Sequence, residues 1–294
     1  MYEIPSFLKL KLYDQYGNLA EKVINGYACD RISSLRVNSL KTTADVVRKA
    51  LFDGGIPSER VAWYDDALVC KSNSETALQQ CDCYRNGEIY LQSLSSMLPP
   101  LVLAPQEGES ILDMTAAPGG KTTQLSALSH GKALITACER DKIRFERLRY
   151  NVEKQGAPRI ALMQTDASKL DNFFRFDKIL LDAPCSGSGT VDLKKPIRLS
   201  EKLIAACVNM QMTLLRKALT LLKSGGEMVY STCSVLQCEN EGVLERVLPE
   251  FRAKLLPVGI SGGDFVRLPS LENTLCICPD ERYEGFFVAK IQKP

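Results

Sequence analysis

The chain has 294 residues, 45% of them hydrophobic and 24% charged, with a formal net charge of +2. Those proportions exclude a disordered chain, a collagen-like fibre and a coiled-coil rod, and the charge balance neither requires nor excludes a nucleic-acid partner. No run approaches the roughly 18 apolar residues of a membrane span, and MYEIPSFLKLKLYDQ lacks the pattern of a secretory signal, so the eleven cysteines and the single His130 are read in a reducing, cytoplasmic setting.

In chain order, the first 30 residues read as helix and loop. Residues 31–92 form a small α+β pattern. RISSLRVNSLK reads as strand and turn, and Thr43–Phe52 as a helix stopped by Gly54-Gly55. Trp63 and Ala67–Cys70 read as short strands. From residue 93 the rhythm changes. SLSSMLPPLVLA reads as a helix interrupted by Pro99-Pro100. SILDM, ALITACE, IALMQTD, DKILLDAP and EMVYSTC read as strands, separated by helices near 121–129, 141–155 and 200–222. The last has Ser200 as N-cap, a stripe of Leu203, Ile204, Cys207, Leu214, Leu215, Ala218, Leu221 and Leu222, and a stop at Gly225-Gly226. Strands alternating with helices predict an α/β fold whose mostly parallel sheet is covered on both faces. The division is an N-terminal unit over 1–92 and an α/β domain over 93–294. Ligands in such sheets sit beyond the carboxyl ends of the strands.

The first of these strands ends in LDMTAAPGGKTTQL. The loop Thr115, Ala116, Ala117, Pro118, Gly119, Gly120, Lys121 combines small residues with a helix start, a cradle for an anion. A nucleotide phosphate, a dinucleotide pyrophosphate or the carboxylate of a methionine-like cofactor all fit it. Thr115 stands where a phosphate loop needs glycine, and GxGxxG is absent. Later strands end at Glu139, Asp166 and Asp182. Glu139 lies about 20 residues past the loop, the usual place for a ribose-hydroxyl acceptor. Three acidic strand ends favour an adenosine-type cofactor. Two thiols also close strands: Cys185 in LLDAPCSGSGT and Cys233 in MVYSTCS. Free cysteine is ordinarily a buried filler; these two sit among glycines and hydroxyls, in turns. Cys81-x-Cys83 and Cys276-x-Cys278 have the wrong spacing for zinc, and no metal is expected.

At these residues the sequence resembles the Nol1/Nop2/Sun (RsmB-like) family of S-adenosylmethionine-dependent RNA cytosine-C5 methyltransferases. The matching text is LDMTAAPGGKTTQL, ACERDKIRFERL, FDKILLDAPCSGSGT and GGEMVYSTCSVLQCENEGVL, with RVNSLK, GEIYLQSLSSMLPPLVL and EGFFVAKIQK outside the core. The resemblance implies a Rossmann-like methyltransferase domain with a seven-stranded sheet, preceded by a small RNA-recognition-like subdomain. It implies Cys233 as the nucleophile at cytosine C6 and Cys185 as the thiol that helps proton removal and product release. Asp182 would bond the cytosine edge or the cofactor, oriented by Lys121. Thr115 to Lys121 would hold the methionine end of S-adenosylmethionine, Glu139 the ribose and Asp166 the adenine, with Arg144 a weaker contact. The family usually carries cysteine where this chain has Thr115.

The implied partner is RNA with a single-stranded or looped cytosine, ribosomal RNA ahead of transfer RNA. Lys194, Lys195 and Arg198 are better placed to touch it than the helical run Arg140, Lys142, Arg144, Arg147, Arg149, which spreads around a solvated surface. The 31–92 unit lacks base-stacking aromatic motifs. No RNA-binding domain is expected after GFFVAKIQKP, and a monomer is the default. Two alternatives remain: a P-loop-like NTPase using GGKTT and ILLDAP, and a non-catalytic RNA-binding protein on a methyltransferase scaffold.

Overall fold

The computed structural model describes residues 2–70 and 75–294. The first part contains helices α1 (Ser6–Tyr16) and α2 (Ala20–Ala28), then β1 (Ser33–Val37), α3 (Ala44–Asp53), β2 (Ser58–Val61), β3 (Tyr64–Cys70), the short helices α4 (Glu75–Gln80) and α5 (Asp82–Arg85), and β4 (Ile89–Leu91). Next come α6 (Leu94–Leu103), β5 (Ser110–Asp113), α7 (Gly120–Leu128), β6 (Leu134–Cys138), α8 (Lys142–Gln155), β7 (Ile160–Met163) and β8 (Phe176–Asp182). The chain continues through α9 (Glu201–Leu221), β9 (Leu222–Thr232), α10 (Glu241–Phe251), β10 (Lys254–Leu256), β11 (Arg267–Leu268), β12 (Thr274–Ile277) and β13 (Phe286–Gln292).

Strands β7-β6-β5-β8-β9 lie side by side and parallel. Antiparallel β13 follows, and β12, β11 and β10 extend that edge, giving nine strands where seven were expected. Strand order reverses between β5 and β8, so a crevice opens at their carboxyl ends. The middle of central β8 is apolar, with Ile179, Leu180 and Leu181 fully buried, because both faces are covered. Ile179 and Leu181 join one core with Leu112, Met228, Tyr230 and the apolar face of α9. Leu180 faces the other core with Ile111, Val229, Val288 and the α6 residues Leu94, Met97 and Leu98.

Helices α1 and α2 bury Leu8, Leu12, Tyr16, Val23 and Tyr27 in the α9 layer. The separate antiparallel sheet β2-β3-β1-β4 packs α3 over Leu35, Val37 and Leu68. It is joined to the large sheet by buried Arg36, whose Nε donates to Gln92 Oε1 at 3.1 Å and whose Nη2 donates to Thr123 Oγ1 of α7 at 2.9 Å.

Four local expectations change. Trp63 lies in the turn between β2 and β3, its Nε1 donating to Tyr283 Oη at 2.8 Å. Pro99 and Pro100 lie inside α6. The Ser96 carbonyl that the Pro100 nitrogen cannot reach instead accepts from Gln92 Nε2 at 3.1 Å. Helix α9 passes directly into β9 at Leu222, and Gly225-Gly226 sits within that strand, where its pairing with β8 shifts register. On α9, Leu203 is exposed, while Val208 and Gln211 complete the buried stripe. Ser200 caps the helix, accepting from the Leu203 N–H at 3.2 Å.

Candidate active site

The loop after β5 is shaped by backbone constraints. Ala116 N–H donates to Cys138 O at 2.9 Å, tying the loop to the end of β6. Gly119 has φ +109°, a conformation that excludes a side chain. A Cβ there would meet Leu148, so Gly119 makes the turn while its neighbours line the cavities. Arg144 Nη2 donates to Ala117 O at 3.0 Å and lies 3.4 Å from Glu139 Oε2. Arg144 thus braces the loop against the buried Glu139, whose Oε1 accepts from Asp141 N–H at 2.9 Å. Burial opposes ionisation of Asp166, but hydrogen bonds from the Ser168 hydroxyl at 2.7 Å and N–H at 3.0 Å, with Arg140 at 3.9 Å, hold its carboxyl below the usual value.

These residues surround a cavity of roughly 330 Å³ lined by Met114, Thr115, Glu139, Arg144 and Asp166. Its far wall comes from α9: Asn209, Met210, Thr213 and Leu214. Sequence reading missed that wall. The available signal was Asn209 and Thr213, polar at i, i+4 beside the apolar stripe.

A second cavity, of roughly 350 Å³, shares Thr115 and is lined by Ala116, Ala117, Pro118, Gly120, Lys121, Asp182 and Cys233. Lys121 Nζ lies 2.7 Å from Asp182 Oδ2 and donates to Ser96 Oγ at 2.7 Å. Asp182 Oδ1 accepts from Ser231 Oγ at 2.8 Å, and its carbonyl accepts from Thr115 Oγ1 at 2.8 Å. Asp113, which closes β5, lines the same cavity. Its burial raises its carboxyl to about 6, despite a 2.7 Å hydrogen bond from Thr122. Asp113 is a fourth acidic strand end, inside a motif already singled out, and sequence reading passed over it.

Cys185 Sγ lies 2.9 Å from Cys233 Sγ. Only Cys233 lines the second cavity; Cys185 sits behind it. The hydrogen bond with Cys233, then burial, then the charges of Cys233 and Glu239 push the Cys185 thiol well above its usual value. Both thiol loops converge on Glu239, which is fully buried. Asn240 Nδ2 donates to Ser234 O at 2.9 Å, and Gly189 N–H donates to Cys233 O at 2.9 Å. Neither Glu239 nor Asn240 was among the sequence candidates, though both lie in the quoted CENEGV.

Lys194, Lys195 and Arg198 lie exposed beyond Val191 and line neither cavity; Lys194 pairs with Asp30 and Lys195 with Asp192. Cys83 is buried in the small sheet's core, and Cys276 belongs to β12. Among the described residues, no cluster of three or more ligating side chains is placed to hold a metal. No helix there is long and apolar enough to cross a membrane.

The sequence pattern of the 16S rRNA methyltransferase RsmB/F family matches residues 100–292. A curated 28S rRNA (cytosine(4447)-C(5))-methyltransferase from Homo sapiens is 33% identical over 310 residues, covering 99% of this chain and 38% of that protein. Ribosomal RNA small subunit methyltransferase F from Shewanella loihica is 36% identical over 285 residues, covering 88% of this chain and 56% of that protein. The chain thus spans 38–58% of the curated relatives it matches. The crystal structure of a methyltransferase homolog protein from Pyrococcus horikoshii superposes with a TM-score of 0.85 at 31% identity, covering 99% of this chain and all of that one. The fold is shared as well with NSun6 from Pyrococcus horikoshii, solved with SFG, at a TM-score of 0.88 and 24% identity, covering 98% of each chain. The Rossmann-like sheet, the loop after β5 and the match over two thirds of the sequence place this chain in the RsmB/F family of rRNA methyltransferases.

Proposed function

We propose that this chain transfers a methyl group from S-adenosylmethionine to C5 of a cytosine in RNA, ribosomal RNA ahead of transfer RNA, through a covalent bond from Cys233 to C6. The observation that carries the proposal is the pair of thiols 2.9 Å apart, with Cys233 opening on the cavity that also holds the Lys121–Asp182 pair.

The residues fit S-adenosylmethionine. The 330 Å³ cavity offers carboxylates at Glu139 and Asp166 for ribose hydroxyls and an adenine amine, and apolar Met114, Met210 and Leu214 for a ring. The 115–120 loop and the unpaired N–H groups opening α7 suit the methionine carboxylate. Bound there, the group supplies an electrophilic methyl on a sulfonium. Cytosine C5 is too poor a nucleophile to take that methyl unaided. The Cys233 thiolate adds to C6 and raises electron density at C5. Asp182, paired with Lys121, accepts a hydrogen bond from the cytosine edge and holds a proton at N3 while charge accumulates there. The C5 proton then passes to solvent water, its bonding pair forms the C5–C6 double bond, and the C6–S bond breaks with both of its electrons returning to sulfur. Cys185, kept protonated, donates a hydrogen bond to the departing sulfur and so assists release.

The reading takes residues 1–92 as an RNA-facing subdomain and 93–294 as the methyltransferase domain. It takes the protein as a metal-free monomer in the cytoplasm, where both thiols stay reduced. The alternatives gain no support. Lys121 is committed to Asp182 and Ser96, unlike the free lysine of a phosphate loop, and a non-catalytic RNA binder has no use for two converging thiols.

The test is to incubate an unmodified ribosomal RNA transcript with methyl-labelled S-adenosylmethionine and wild type, Cys233→Ala or Cys185→Ala. Label in 5-methylcytosine, lost in Cys233→Ala, with a protein–RNA adduct accumulating in Cys185→Ala, is expected. Label that survives Cys233→Ala overturns the mechanism; absence of cofactor binding overturns the function.

A further inference from the structure

A third cavity, of roughly 230 Å³, opens beside the catalytic one. Leu91, Gln92, Ser93 and Glu284 line both, so the two adjoin across these residues. Its outer wall brings Arg31 and Ile32, which precede β1, against Arg282 from the segment between β12 and β13. The Nε atoms of Arg31 and Arg282 are buried with no hydrogen-bond partner. Leaving a charged donor buried and unpaired is costly. Arg282 spends Nη1 on Asp264. Arg31 Nη1 lies 3.9 Å from Glu284 Oε1, beyond hydrogen-bond range. The other oxygen of Glu284 is fixed by Ser93 Oγ at 2.8 Å. A guanidinium donor and a carboxylate acceptor therefore stand side by side on one wall, with the apolar stems of Ile32 and Leu91 beside them.

A phosphate offers only acceptors and is repelled by Glu284. A nucleobase edge offers both donors and acceptors and has a flat apolar face. We propose that this cavity receives the base of the nucleotide flanking the target cytosine in the same RNA strand, with Arg31 and Glu284 reading its edge. The inference rests on the cytosine-methyltransferase reading of the adjoining cavity. It gives the small sheet a base contact of its own through the residues that flank β1 and β4.

The test uses fluorescein-labelled hexaribonucleotides with one cytosine flanked by each of the four bases. Anisotropy gives their affinities for wild type, Arg31→Ala and Glu284→Gln, and calorimetry gives S-adenosylmethionine affinity for each variant. Arg31→Ala is expected to weaken the preferred hexamer about tenfold and to flatten the differences among the four. Glu284→Gln is expected to change their ranking, with cofactor affinity unmoved in both. Equal affinities for wild type and Arg31→Ala, while wild type still methylates ribosomal RNA, would overturn the subsite and leave the function standing. A uniform loss across all four hexamers with a shallower salt dependence would make Arg31 a phosphate contact and also overturn it. Wild type that neither binds the hexamers nor methylates RNA removes both readings.

Discussion

Glu239 holds Ser186 twice: Oε1 accepts from the Ser186 N–H at 2.8 Å and Oε2 from its hydroxyl at 2.6 Å. The same Oε2 accepts from Ser234 Oγ at 2.7 Å. Ser186 and Ser234 each follow a thiol, so one buried carboxylate sets the spacing of Cys185 and Cys233. Its charge adds to the effects of Cys233 and of burial that keep Cys185 protonated. Glu239→Gln keeps the volume, removes the charge and turns one acceptor into a donor. We expect kcat to fall about 10²-fold, as misplacement of reacting groups commonly costs, with S-adenosylmethionine affinity unchanged. The Cys185 thiol should then ionise at lower pH, shifting its alkylation profile, followed by mass spectrometry, towards acid. An unshifted profile would leave Glu239 a purely structural residue.

Lys121 meets Asp182 at 2.7 Å, and both side chains are largely buried. Lys121→Met keeps the stem and removes the ammonium that contacts the Asp182 carboxylate and the Ser96 hydroxyl. Single-turnover methylation should slow by about 10²–10³-fold, the usual cost of losing a charged group at a transition state. RNA affinity by anisotropy should hold. Equal losses in rate and affinity would instead make Lys121 a binding group.

The residues legible in the sequence were those whose local pattern carries the chemistry. The loop 115–121, the strand ends Glu139, Asp166 and Asp182 and the two thiols stand out in the sequence because each closes an apolar run. They converge because the strand order reverses between β5 and β8. What stayed hidden depends on distant contacts. Glu239 looks like any acidic residue near a helix start until Ser186 is seen 53 positions upstream. Arg36 reads as a strand-surface charge until Gln92 and Thr123 enclose it. Pro99-Pro100 predicted a break because the compensating donor, Gln92, is a side chain outside the helix.

Asp113 predicts a pH dependence of stability. Burial raises its carboxyl from 3.8 to about 6, so between those values the folded state binds more protons than the unfolded state. Its contribution to stability is therefore greatest below pH 4, declines as pH rises to 6 and is flat beyond. The full penalty is about 3 kcal/mol. Asp113→Asn retains an acceptor for Thr122 and cannot ionise. Urea unfolding at pH 4 and pH 7 should show the variant gaining on wild type at the higher pH. A wild-type minus variant difference that does not change with pH would mean that Asp113 titrates in the folded state as it does in the unfolded one.

Gly189 lets the Cys185 loop pack backbone to backbone against the segment before β13. A Cβ on it would lie 1.9 Å from the Gly285 carbonyl oxygen, while Gly285 N–H donates to Gly189 O at 2.8 Å. Gly189→Ala must open that contact and, through the Gly189 N–H bond to Cys233 O, move the nucleophile. Overpacking of this kind costs about 1–3 kcal/mol. Methylation should fall more than stability does, measured by kcat alongside urea midpoints, because the displacement is directed at Cys233. A stability loss with normal kcat would place the strain elsewhere in the 285 segment.

Arg36 couples the small sheet to the cofactor loop. It is fully buried, and besides Gln92 and Thr123 its Nη2 approaches the Gly120 carbonyl at 3.4 Å. Arg36→Ala would strand the Gln92 and Thr123 acceptors and open a cavity at the start of α7. Removing one member of a buried charged network costs about 3–5 kcal/mol. Arg36→Lys retains the charge but cannot reach Gln92 and Thr123 together in the planar fork of a guanidinium. It should therefore fold while weakening S-adenosylmethionine binding, which calorimetry would read directly. Wild-type cofactor affinity in a folded Arg36→Lys protein would show that the small sheet does not hold the loop after β5 in place.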